Sequence, residues 1–172
     1  MKLFYKRMLL FWLCIISFSL FFFGGCTMFQ QENNSSEEIQ ANNINAINEF
    51  YETASESKRY LDIVAEDVYS YWYDAIYNDK YNNDIDYAIL YALEDNQDYI
   101  DKIEANDSKL NSLYKELRDG KLSTEIKAVM TAYLDYYEFA INVSGSFSSY
   151  KENIDPLQKE YANALRALQL EL

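Results

Sequence analysis

The sequence predicts an all-α fold, an antiparallel bundle of about four helices, the first two long and the last bent at Pro156. Three observations carry that prediction. Glycine and proline are scarce: the four glycines are Gly24, Gly25, Gly120 and Gly145, and the single proline is Pro156, too few for the turns of a β-rich domain. Apolar residues recur at alternating spacings of three and four over long stretches, the period of a helix face. The breaks between those stretches are short and polar, which makes successive helices antiparallel neighbours.

The chain begins differently. Lys2, Lys6 and Arg7 precede an apolar run from Met8 to Phe23, and that run ends in Gly24-Gly25-Cys26. A basic cluster, an apolar stretch and small residues before a cysteine are the parts of a secretory signal with a cleavage site, the small residues letting the backbone enter a narrow peptidase groove. A spanning helix needs about 20 apolar residues, and this run is shorter, which disfavours an uncleaved anchor. The segment resembles the type II signal peptide of bacterial lipoproteins. Gly24 and Gly25 match the small positions of that motif and Phe23 stands where leucine is more usual. The resemblance implies that residues 1–25 are removed and that Cys26 carries a lipid. Residues 26–36, polar apart from Met28 and Phe29, read as a flexible tether spanning on the order of 17 Å, and residues 37–172 as the helical bundle domain.

The first helix is expected from Ser35 or Ser36, where Ser35 and Glu38 have capping-box spacing, to about Asn78. Its stripe is Ile44, Ile47, Tyr51, Ala54, Leu61, Ala65, Val68, Trp72 and Ala75, with a bend or frayed point expected at Glu56-Ser57-Lys58. Asn78 to Asp84 form a polar turn, with Asn83 or Asp84 capping the second helix. That helix shows Ile85, Ile89, Leu93, Ile100, Ile103, Leu110, Tyr114 and Leu117. Gly120 is expected to close it in the left-handed conformation, and Asn96 and Asp107 to be weak or solvated points on its stripe. A third helix from Ser123 or Thr124 carries Ile126, Val129, Met130, Tyr133, Leu134, Tyr137, Ala140 and Ile141, and breaks at Ser144-Gly145-Ser146. A fourth carries Phe147, Tyr150, Ile154, Leu157, Tyr161, Ala164, Leu165 and Leu168. Its phase is preserved across Pro156, which favours one bent helix over two.

Charge and residue types then exclude chemistry. The net charge is −13, and loss of residues 1–25, with three bases and no acids, brings it to −16. So acidic a body repels phosphate backbones and anionic headgroups, which excludes nucleic acid as a partner and assigns membrane attachment to the lipid. There is no histidine, and the two cysteines are Cys14 and Cys26. Disulfides, thiol catalysis, histidine-based triads, the usual zinc sites and histidine-ligated haem are therefore absent from the mature domain, and no cofactor is expected. Asn82, Asp84 and Asp86 copy the first positions of a calcium loop, but Tyr87 replaces its glycine and Leu93 its bidentate glutamate, so no metal site is expected.

The unusual feature is aromatic. Within Tyr69-Ser70-Tyr71-Trp72-Tyr73-Asp74-Ala75-Ile76-Tyr77, residues Tyr69, Tyr73 and Tyr77 recur every four residues and form a ladder on one helix face. Such rings hold a partner protein, a cationic headgroup or a sugar, or they flank the core with hydroxyls at its rim. Trp72 falls on the core stripe. The stretch Trp72 to Tyr77, together with Ser144-Gly145-Ser146-Phe147 and an Asn-, Lys-, Tyr- and Ile-rich composition, is similar to small helical lipoproteins of low-GC Gram-positive bacteria. That resemblance implies a surface lipoprotein and brings no activity with it.

The expected function is that of a lipid-anchored, non-enzymatic binding or accessory module on the extracytoplasmic face of the cell membrane, with a protein or peptide partner. Alternatives are a protective lipoprotein, acting in bacteriocin immunity or phage superinfection exclusion on a cationic peptide or protein, and a carboxylate-based cell-wall hydrolase. Labelled fatty acid is expected on the wild-type protein and absent from Cys26→Ser; label that persists in the variant would overturn the assignment of Cys26.

Overall fold

Residues 43–172 are described by a computed structural model; the signal segment, Cys26 and the tether lie outside the described residues. Apolar periodicity produces five helices and, among the described residues, no strand. They are α1 (residues 43–77), α2 (Ile85–Asp95), α3 (Gln97–Leu117), α4 (Ser123–Ile141) and α5 (Phe147–Gln169). Contacts between them fix an up-and-down order. Lys109 pairs with Glu49 (2.8 Å) while Asn96 reaches Asp67 (3.0 Å), so α3 descends alongside α1. Tyr150 reaches Ala65 and Tyr161 reaches Ala54, so α5 also runs against α1. No helix among the described residues is long and apolar enough to cross a membrane.

The second helix of the sequence reading is two. Asn96 leaves helical geometry (φ −100°, ψ 14°), and its side chain is not solvated as expected: it is 2 % exposed and its amide donates to Asp67 Oδ2 and to the Ala92 carbonyl. A buried amide with both hydrogen bonds made is stabilising where an unmade one is costly, so the break is held by a contact to α1. Asp107 is half-buried and accepts from Asn111.

Three other expectations change. Gly120 does not take a positive φ; the left-handed glycine is Gly145, at φ 91°, in the α4–α5 connection. Ile44 and Leu134, though in phase with their stripes, are exposed, and Phe50, Val64 and Tyr136 are buried in addition to the expected residues. No fraying occurs at Glu56-Ser57-Lys58: Ser57 is fully buried, and its hydroxyl donates to the Thr53 carbonyl (2.8 Å), which satisfies it inside the helix. α5 runs through Pro156 as one helix. Proline is tolerated there because Glu152, whose carbonyl loses its partner, lies with Pro156 on the solvent side.

The core is unusually phenolic. Tyr133, Tyr136, Tyr150 and Tyr161 are all buried. The Tyr150 hydroxyl donates to the Ala65 carbonyl (3.2 Å), that of Tyr161 to Ala54 (2.8 Å), and that of Tyr136 to Asp62 (3.1 Å), whose other oxygen accepts from Lys58 (2.6 Å). Tyr133 has no such partner. Tyr150→Phe and Tyr161→Phe are each expected to lower the unfolding free energy by about 1 kcal/mol, and Tyr161→Ala by about 3–5 kcal/mol, in urea titrations. A Tyr161→Phe protein as stable as the wild type would show that its hydroxyl contributes nothing.

Candidate functional site

Two chain reversals meet at one end of the bundle. The first follows α1. Asp74 ties it: its carbonyl accepts from the backbone N–H groups of Asn78 (3.0 Å) and Lys80 (3.3 Å), and its carboxylate from Lys80 Nζ (2.7 Å) and Asn78 Nδ2 (2.6 Å). Lys80, then Asn78, hold the Asp74 carboxyl below its ordinary range. Tyr81–Asn83 then form a left-handed 3-10 turn, with φ of 55°, 55° and 59°. Asp84 ends it by accepting from the Tyr87 N–H (3.0 Å) as the N-cap of α2, the expected role for this residue. The second reversal is the α4–α5 connection, where Gly145 turns the chain and Ser146 accepts from the Ser149 N–H to start α5.

The tyrosine ladder exists as rings in contact. Tyr69 and Tyr73 are 6.3 Å apart and Tyr73 and Tyr77 4.7 Å between centroids, and all three converge on Phe147, at 5.3, 6.2 and 6.0 Å. Tyr69 is half-buried, while Tyr73 and Tyr77 are 41 % and 59 % exposed. The ladder thus packs at one end and faces water at the other. Beside it lies a second ring cluster, Tyr71, Tyr81, Tyr87 and Tyr91, with centroids 5.4 to 6.4 Å apart. Tyr71 anchors that cluster to α2 by donating to Asp95 (2.8 Å).

Between the reversals opens a cleft of about 850 Å³, formed by Trp72 and Ile76 of α1, residues 82–86 and Ile89 of the turn and α2, and residues 143–147. Its walls are aliphatic and aromatic and its polar lining is Asn82, Asn83, Asp84, Asp86, Ser144 and Ser146. Trp72 is 4 % exposed, as a core position requires, yet its Nε1 has no hydrogen-bond partner. Such a buried orphan donor costs on the order of 1–3 kcal/mol. Of the eleven exposed large apolar side chains among the described residues, seven fall between Tyr73 and Tyr91. The exposed apolar side chains are therefore concentrated in the stretch that carries the end of α1, the first reversal and α2.

The ladder and Trp72 are legible in the sequence. The cleft is not, because Val143 and Phe147 come from a connection some sixty residues away in the chain. The calcium-like residues Asn82, Asp84 and Asp86 do sit together at the cleft, but among the described residues no group of three acids is arranged to hold a metal ion.

Two kinds of tyrosine follow from this geometry. The Asp95 carboxylate, then burial, push Tyr71 up to about 12. Burial, aided by Asp62 at Tyr136 and Tyr161 and by Asp107 at Tyr133, pushes the core phenols higher still. An unfolded tyrosine ionises near pH 10, so these groups support the fold fully below about that pH and lose that support as the pH rises toward their folded values. Phenolate absorbance is therefore expected to show a step for Tyr71 that vanishes in Tyr71→Phe, and core tyrosines ionising only with alkaline unfolding. A single step for all tyrosines in folded protein would contradict the burial described.

Compared with protein-family models, curated proteins and solved structures, the chain matches none.

Proposed function

We propose that this chain is a lipid-anchored binding module on the extracytoplasmic face of the cell membrane, holding a protein or peptide partner at the end of the bundle where the cleft and both ring clusters lie. Cys26 attaches it, the helical body stands clear of the headgroups by electrostatic repulsion, and no catalysis is assigned to it. One observation carries the reading: exposed apolar side chains gather around a cleft at one end of the described structure. Rings with polar tips suit such a surface, since they bury area against a partner and remain soluble without one.

A second reading, a protective lipoprotein that intercepts a bacteriocin or excludes a superinfecting phage, is favoured by charge. The stretch from Asp74 to Asp101 carries eight acids against the single base Lys80, a field that draws in a cationic peptide.

A photo-crosslinking amino acid placed at Ile85, exposed and lining the cleft, is expected to give a discrete adduct in intact cells. The same group at Leu170, exposed near the end of α5 and so at the opposite end of the bundle, is expected to give none. Equal adducts at both positions, or an adduct at Leu170 alone, would refute the location of the site.

A further inference from the structure

We infer that the ligand at this end is a cationic amphipathic peptide segment, whose apolar side chains enter the Trp72 cleft while its ammonium or guanidinium groups lie over exposed tyrosine rings and beside Asp84 and Asp86. The inference rests on the proposed binding role and names the chemistry of the partner.

Charge complementarity is the first support. Lys80, the one base between Asp74 and Asp101, is already bound to Asp74 at 2.7 Å. Asp84 and Asp86 take part in no ion pair among the described residues. An incoming cation meets Asp84 and Asp86 in a cleft lining that holds no base, whereas an anionic peptide or an anionic lipid surface meets like charge.

Ring occupancy is the second. Elsewhere among the described residues two cations do lie over rings: Arg59 lies 4.3 Å from the centre of the Tyr60 ring, and Lys102 lies 5.4 and 5.3 Å from Tyr60 and Tyr99. Tyr73, Tyr77, Tyr87 and Tyr91 are 41 to 59 % exposed, and among the described residues no cation covers them. Their faces are electron-rich sites open to a partner's lysine or arginine.

The third support lies in the cleft and does not involve charge. Its volume, about 850 Å³, falls within the roughly 300–1,000 Å³ of ligand sites, and Ile76, Ile85, Ile89 and Val143 offer aliphatic walls of the kind that receives one face of an amphipathic helix. Trp72, buried in that wall, keeps an indole N–H with no acceptor.

The test uses the lipidated chain from Cys26 onward in zwitterionic nanodiscs and a synthetic helix-forming peptide of about eighteen residues, five turns, with leucine on one face and lysine on the other. Calorimetry is expected to show saturable one-to-one binding that weakens about tenfold when salt rises from roughly 0.05 to 0.5 M. Tyr77→Ala and Asp86→Lys, both at exposed positions, are each expected to weaken it about tenfold without moving the urea midpoint. With residues 1–25 removed, Trp72 is the sole indole, and its emission is expected to change on binding.

Equal binding of a peptide with glutamate in place of lysine would overturn the inference. Equal binding of a lysine peptide without leucine would do the same, as would unchanged affinity in both variants or an unresponsive Trp72. Concentration-dependent dimerisation abolished by Asp86→Lys would make a second copy the occupant and also overturn it. If the peptide fails while the Ile85 crosslink forms, the binding role stands and the assigned chemistry falls; if both fail, so does the role.

Discussion

Tyr150 and Tyr161 stand eleven residues apart on α5, and the carbonyls they reach, those of Ala65 and Ala54, stand eleven residues apart on α1. Two antiparallel helices joined at two matched points cannot slide without breaking both hydrogen bonds and moving two buried rings. Phe147 lies one turn before Tyr150, so the same register delivers it to Tyr69, Tyr73 and Tyr77 and closes one wall of the cleft. A slip of one turn, about 5.4 Å, would move Phe147 by one rung of the ladder and out of its present place in the cleft wall.

Tyrosine suits this task because it fills a core and still bonds at its tip. In a leucine core, register depends on shape alone, and uniform packing specifies it poorly. Here the hydroxyls reach helix carbonyls that water does not reach, and one reaches the Asp62–Lys58 pair, so most of the buried polar tips are satisfied. Tyr133 is the exception, close enough to Asp107 for its ionisation to be opposed yet without a hydrogen bond. The acids are placed outside this core, and their mutual repulsion is opposed by burial of the phenols.

Much of this was legible in local sequence. The four-residue spacing of Tyr69, Tyr73 and Tyr77, the Asp84 cap, the core position of Trp72 and the unbroken phase of α5 all follow from periodicity and short-range hydrogen bonds. The rest depended on distant partners. Asn96 interrupts a helix because Asp67, twenty-nine residues earlier, accepts its amide proton, and nothing in the stretch around Asn96 announces that acceptor. Gly120 and Gly145 look alike in the sequence, yet only Gly145 takes the left-handed conformation. Leu134 and Ile44 keep the helical period but face water, because a stripe states which residues share a face and not how far the neighbouring helix extends. The cleft was hidden for the same reason, being formed by two connections that meet only in three dimensions.

The turn at Tyr81–Asn83 shows how stability is distributed between the ends of the bundle. Left-handed geometry costs roughly 1–2 kcal/mol per residue for side chains other than glycine, and asparagine tolerates it best, which accounts for Asn82 and Asn83 but not for Tyr81. What a glycine at that position would lack is the ring, which meets Tyr71 edge-on at 5.4 Å and lies within 6.4 Å of Tyr87 and Tyr91. The backbone is therefore held in an unfavourable shape by aromatic contacts that are themselves half open to water. Strain and exposed apolar surface coincide with the cleft, while the hydroxyls that fix the register bond to the carbonyls of Ala65 and Ala54, about two turns or more along α1 from Trp72. With that division, a ligand can displace water from the rings and the cleft without altering the hydrogen bonds that align α1 with α5.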